Sequence, residues 1–202
     1  LGNVYVTDLG NRRVEKFDNN GNFLFTFGTK GHDNGQFNSP LSIAIDRNSI
    51  YVVDDVRNDV QKFDMTGKFI TKWGGDKGSA HGQFLLPQGV AVDPSGDVYV
   101  VDTGNSRVEK FDSSGKYLLT IGESGLDEGK FLSPHSIFAD SQGSIYVSDS
   151  GNNRIEKFTQ DGVFLQSYGV SKGASLTTPL GLAVDKSDNI IVADNGNNRI
   201  VQ

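Results

Sequence analysis

The sequence has no cysteine among its 202 residues, which removes disulfides, thiolate metal sites and cysteine nucleophiles. It has three histidines, too few for a rich imidazole metal centre, and only five prolines. No apolar run approaches the ~20 residues that a membrane-crossing helix needs. No charged-then-apolar leader follows Leu1, and no Asn-x-Ser/Thr acceptor occurs. Positive charge is short as well: 19 Lys and Arg against 25 Asp and Glu leave a net charge of −6, the opposite of a basic nucleic-acid footprint.

What the chain does have is glycine, 25 residues of it, with valines and aromatics grouped in short runs. That composition predicts many short strands and many tight turns. Tyr-Val-Thr-Asp8, Tyr-Val-Val-Asp54, Tyr-Val-Val-Asp102, Tyr-Val-Ser-Asp149 and Ile-Val-Ala-Asp194 recur in steps of 46, 48, 47 and 45 residues. Lys16-Phe17, Lys62-Phe63, Lys110-Phe111 and Lys157-Phe158 keep the same period, and so do Pro40, Pro87, Pro134 and Pro179. Three independent markers on one period define a repeat.

Each repeat resolves into four runs, here called a to d. In the third they are Gly89–Asp93, Asp97–Asp102, Arg107–Phe111 and Tyr117–Gly122. Turns at Asp93-Pro-Ser-Gly96 and Asp112-Ser-Ser-Gly115 place glycine where a hairpin needs positive φ, matched by Asn20-Gly21, Thr66-Gly67 and Asp161-Gly162. Strands a and b are apolar on both faces, as in Ile43-Ala-Ile45 and Val98-Tyr-Val-Val101, so both faces are expected to be covered. Four-stranded antiparallel units stacked on this period are the blades of an all-β propeller.

The stretch Pro87-Gln-Gly89-Val-Ala-Val-Asp93, Tyr-Val-Val-Asp102, Gly104-Asn-Ser-Arg107-Val-Glu-Lys-Phe111 resembles the NHL repeat, and Gly151-Asn-Asn-Arg154-Ile and Gly196-Asn-Asn-Arg199-Ile follow its signature closely. The resemblance implies a single propeller domain over 1–202, with a partial blade at 1–28, blades at 40–74, 87–122 and 134–169, and a partial blade at 179–202. It also implies an interaction module for protein or RNA. A minority of such proteins resemble amidating lyases or lactone hydrolases with an axial metal. The strand total, three plus three blades of four plus three, is eighteen, which does not divide into whole blades. The expectation is therefore a window on a propeller of six or more blades, open to self-association at its edges.

The Asp-x₄-Arg spacing predicts hairpin-stapling pairs Asp8–Arg13, Asp102–Arg107, Asp149–Arg154 and Asp194–Arg199, expected to be solvent-exposed and to contribute at most about 1 kcal/mol each. The second repeat departs from the pattern, with Asp59 where the others have arginine. Asp46, Asp93, Asp140 and Asp185, which end strand a, are read as blade-maintaining rather than as calcium ligands. By the resemblance, Leu41, Gln88, His135 and Leu180 face the propeller axis. His135 is the single imidazole there, so neither a metal site nor a catalytic residue is assigned, and no cofactor is expected.

The d–a loops, Thr29–Ser39, Gly75–Leu86, Glu123–Ser133 and Val170–Thr178, vary most in sequence. Phe37, Phe84, Phe131 and Leu176, three residues before each proline, are expected to pin them. His32, His81, Lys77 and Asp127 join the four axial residues as candidate binding residues, since loops on a rigid frame carry function; Lys172 belongs to the same set. Asp33-Asn-Gly35 and Asp127-Glu-Gly129 are read as turns. The expected function is a non-catalytic scaffold for a protein or glycan partner. The alternatives are a metal-dependent lyase or lactonase-like enzyme with ligands outside this window, and an RNA-binding module. No membrane insertion is expected, and an extracellular or cell-surface setting is slightly favoured.

Overall fold

Alternating apolar runs and glycine turns fold into small antiparallel sheets, each wound a to d in chain order. The computed structural model describes residues 2–169 and 175–202. It forms two compact units, Leu1–Gln88 and Gly89–Gln202.

In the first unit, β1 (Val4–Asp8), β2 (Arg13–Phe17) and β3 (Phe23–Phe27) make a three-stranded sheet. A two-residue parallel pair follows, β4 (Thr29–Lys30) with β5 (Gln36–Phe37). Next come the four strands β6 (Pro40–Ile45), β7 (Ser49–Asp54), β8 (Asp59–Asp64) and β9 (Phe69–Gly74). The third sheet, whose first strand crosses the unit boundary, holds β10 (Pro87–Val92), β11 (Val98–Asp102), β12 (Arg107–Phe111) and β13 (Tyr117–Ile121). The second unit continues with β14 (Pro134–Ala139), β15 (Ile145–Asp149), β16 (Arg154–Phe158) and β17 (Phe164–Tyr168). It ends with the three strands β18 (Pro179–Val184), β19 (Ile190–Asp194) and β20 (Arg199–Val201). These are propeller blades, and every long strand lies where the repeat predicts it. The short β4–β5 pair is not legible in the sequence.

The turn chemistry is uniform. Gly21, Gly67, Gly115 and Gly162 close the c–d hairpins at φ of +83, +83, +91 and +82°, a region that costs a residue with a Cβ about 1–2 kcal/mol. At strand a's end, Asp93 accepts the backbone N–H groups of Ser95 and Asp97 and the hydroxyl of Tyr99. Asp46 treats Asn48, Ser49 and Tyr51 alike, and Asp140 does so with Gln142, Ser144 and Tyr146. Across each b–c hairpin a lysine lies over that tyrosine: Lys16 on Tyr5, Lys62 on Tyr51, Lys110 on Tyr99 and Lys157 on Tyr146, with Nζ 4.8–5.3 Å from the ring centre. The Lys-Phe marker thus splits by face. Lysine covers tyrosine on one side, while Phe63, Phe111 and Phe158 are buried on the other.

β7, β11 and β15 are buried along their whole length, as expected for inner strands covered on both faces. β1 and β19 are not: alternate residues stay open, so one face of the first and of the last sheet lacks a neighbour.

Candidate functional site

In an antiparallel a–d sheet the b–c turn and the start of strand a lie at the same end. The register shows it, with Pro134 opposite Asp149 and Asp149 opposite Arg154. All eight candidate binding residues lie at this end of their own sheets.

The end is held by buried charge, which corrects the expectation of exposed ion pairs. Arg107 and Arg154 reach Asp102 and Asp149 through Nε at 2.9 and 3.0 Å, and both carboxylates are fully buried. Asp194 is equally buried, although its partner Arg199, at 2.7 Å, is half-exposed. Only Asp8–Arg13, at 3.0 Å, approaches the exposed pair anticipated. The reason is that each carboxylate also serves the loop. Asp149 accepts the N–H of Leu132 at 2.7 Å and the Asn152 amide at 2.7 Å, and burial pushes its pKa up against these bonds. Arg154 donates onward to the carbonyls of Leu126, Asp127 and Lys130 and pairs with Glu156 at 3.0 Å. Glu156 in turn accepts the N–H of Gly129 at 3.0 Å. One arginine and two acids from the b–c hairpin therefore hold the preceding d–a loop.

The second sheet does this with different residues. Asp59 occupies the arginine position, and Arg57, at the position of Asn11, Asn105 and Asn152, supplies the guanidinium, 2.9 Å from Asp59. Gln61 replaces the glutamate, accepting the N–H of Gly35 and donating to the Gln36 carbonyl, both at 2.8 Å. Formal charge is the same in each case: Asp54, Arg57, Asp59 and Gln61 sum to −1, as do Asp149, Arg154 and Glu156.

The d–a loops vary in sequence yet share a backbone. Gly31, Gly78 and Gly125 donate to the carbonyls of Phe37, Phe84 and Phe131 at 3.0–3.1 Å. The same phenylalanines, and Leu176, are buried against the blades, as expected. Gly35 and Gly129 have φ of +80 and +78°, in keeping with plain turns. His32, His81, Lys77 and Asp127 are exposed on these loops. His32 accepts from the Asn38 amide at 3.1 Å. Lys172 lies outside the described residues, with the start of its loop.

The four residues after the prolines are half-buried. The carbonyl of Leu41 accepts from the Thr7 hydroxyl, and that of Leu180 from Ser148. Burial lowers the pKa of His135, holding the ring neutral near pH 7. Among the described residues no three His, Asp or Glu side chains converge as a metal site would require.

Sequence reasoning missed two features. Leu9, Val56 and Leu86 in the first unit, and Leu126 and Leu132 in the second, are exposed at this same end of the sheets; Leu126 is 70% exposed. A cavity of about 350 Å³ also lies between β17 and the last sheet, lined by Ile155, Tyr168, Leu176, Ile190, Val192 and Val201. These are the counterparts of the residues that surround Phe158 in the fourth sheet.

Comparison with known proteins agrees with this architecture. The NHL repeat model matches residues 84–111, 131–158 and 176–202, and a six-bladed β-propeller family, DUF5128, matches 2–76. Protein brain tumor of Drosophila melanogaster is 31% identical over 96 residues, 46% of this chain and 9% of that protein. Among solved structures, a streptogramin B lyase superposes with a TM-score of 0.74 at 18% identity, over 98% of this chain and 61% of that one. The nidogen/laminin complex gives 0.73 at 19% identity, over 98% and 70%. Virginiamycin B lyase from Staphylococcus aureus with quinupristin gives 0.73 at 16%, over 98% and 62%. The chain thus spans a small part of its curated relative and under two thirds of the lyases, and these structural likenesses bear on the fold alone. With its repeats, its register and both family matches in agreement, the chain belongs to the NHL-repeat β-propellers.

Proposed function

We propose that the chain is a non-catalytic binding scaffold that presents the b–c turns and d–a loops to a protein partner. The observation that carries this reading is the pairing of rigidity with apolar exposure. Buried Asp–Arg clamps fix the loops, and the leucines and valines they display have no packing role in their own sheets. Exposed apolar groups on a fixed frame suit a protein surface. A glycan site would favour aromatic platforms, and here the exposed groups are aliphatic. RNA recognition lacks its cationic, aromatic groove, and the net charge is −6. The nidogen/laminin complex is a protein assembly on a similar fold, which supports the class of partner. The lyase likeness supports the competing enzymatic reading.

A photo-crosslinking residue at position 126 or 56 tests the proposal. Capture of a defined protein there, competed by excess unlabelled chain but not by Leu126→Glu or Val56→Glu chain, supports it. Equal capture from Ser114, in the c–d turn at the opposite end, argues against this face. Turnover of a cyclic depsipeptide such as quinupristin, lost in His135→Ala, replaces it with the enzymatic reading.

A further inference from the structure

Successive sheets pack by unlike faces. In the second unit Ala91, Tyr99, Val101 and Val108, on the back of the third sheet, meet Ile137, Ile145, Val147 and Phe158, on the front of the fourth. The back of the fourth, Tyr146 and Ile155, meets Leu182, Ile190 and Val192 on the front of the last. In the first unit Tyr5 and Val14 meet Ile43, Ile50, Val52 and Phe63 in the same way.

Two faces of these types are left open. On the front of the first sheet Val4, Val6 and Phe23 are 52, 43 and 55% exposed. They occupy the places of Ile145, Val147 and Phe164, which are packed in the fourth sheet. On the back of the last sheet Ala183, Ile191 and Ile200 are exposed where Ala91, Tyr99 and Val108 are buried.

A glycine adds an independent sign. Gly89 admits no side chain, because a Cβ would stand 2.9 Å from the His135 carbonyl oxygen of the next sheet. Gly181 holds the same place on the last sheet, yet a Cβ there would meet only Ala193, at 3.7 Å. Nothing in the chain itself needs that glycine; close approach of another front face would.

We propose that the open front face of the first sheet and the open back face of the last sheet bind one another between two copies of this chain, head to tail, in the packing the chain already uses between its own sheets. Such a contact is heterologous, so it adds copies in sequence until a ring closes. The occupant is a second copy because the chain carries both complementary faces, including the glycine that permits the approach.

The test is light scattering during size-exclusion chromatography at up to tens of micromolar, on the full chain and on Val6→Glu and Ile200→Glu. The wild type should gain mass with concentration. Each variant, altered at an exposed position, should run as a monomer with an unchanged melt. An equimolar mixture should form a one-to-one dimer and nothing larger, because one intact interface remains. A wild type monomeric throughout overturns the proposal. So does association of either variant alone, which would mark a like-face contact, or a mixture that stays monomeric. Val4→Glu and Ala183→Glu substitute if a first-choice variant melts early.

Discussion

Asp54 and Asp59 stand directly opposite one another across the β7–β8 turn, two carboxylates in a cross-strand pair that in the other hairpins joins aspartate to arginine. The juxtaposition is tolerated because Arg57 reaches Asp59 through Nε and Nη2, at 3.1 and 2.9 Å, from a position that holds asparagine in the other repeats. Asp59 is almost wholly buried, and burial pushes its pKa up while the guanidinium and Lys72 pull it down.

Because the guanidinium has moved two residues rather than vanished, Arg57→Asn should cost about 3–5 kcal/mol by stranding a buried carboxylate. Adding Asp59→Arg should recover most of the loss, by rebuilding the arrangement of Asp149 and Arg154. Urea unfolding of the single and double variants measures this. Additive losses would show that the two arrangements are not equivalent.

Glu156 is fully buried, its Oε2 has no hydrogen-bond partner, and burial pushes its pKa up from an ordinary 4.5 to about 7. Below 4.5 the carboxyl is neutral in folded and unfolded chains alike. From there to about 7 the unfolded chain has released the proton and the folded chain keeps it, so rising pH favours unfolding. Glu156→Gln should therefore match the wild type near pH 4 and exceed it by about 1–3 kcal/mol near pH 8. Gln61 already fills this place in the second sheet and accepts a loop N–H as Glu156 does. Denaturant midpoints at the two pH values decide it, and a variant weaker at pH 8 would show that the charge itself is needed.

Phe111 is 1% exposed and meets Tyr117 edge-on at 6.2 Å. Phe111→Ala should destabilise the fold by about 3–5 kcal/mol. A loss under about 1 kcal/mol in chemical denaturation would contradict its place in the core.

Gly96 and Gly122 both have positive φ, +89 and +72°. An added Cβ at Gly96 meets open space, whereas at Gly122 it runs into the Phe131 ring that pins the loop. Gly96→Ala should cost about 1 kcal/mol, and Gly122→Ala about 3–4 kcal/mol once crowding is added. Thermal melts of the two variants give the difference, and equal shifts would mean that the loop yields freely to the methyl group.

The period of Asp8, Asp54, Asp102, Asp149 and Asp194 was enough to place every blade strand, because strand alternation and turn glycines are local properties of the chain. Pairing of aspartate with arginine was legible for the same reason: five residues span one tight turn. Burial of those pairs was not, since it depends on a loop some 20 residues earlier in sequence folding over them. Nor was the common backbone of the d–a loops, whose side chains differ while their main-chain hydrogen bonds agree. Compensation at Arg57 and Asp59 escaped reading because two departures from a motif look like its loss until space shows them in contact. The faces of the first and last sheets carry ordinary strand patterns, and nothing in Val4-Tyr-Val6 distinguishes it from Ile145-Tyr-Val147. Only tertiary packing decides which of these surfaces is covered, because burial belongs to the neighbouring sheet and not to the strand.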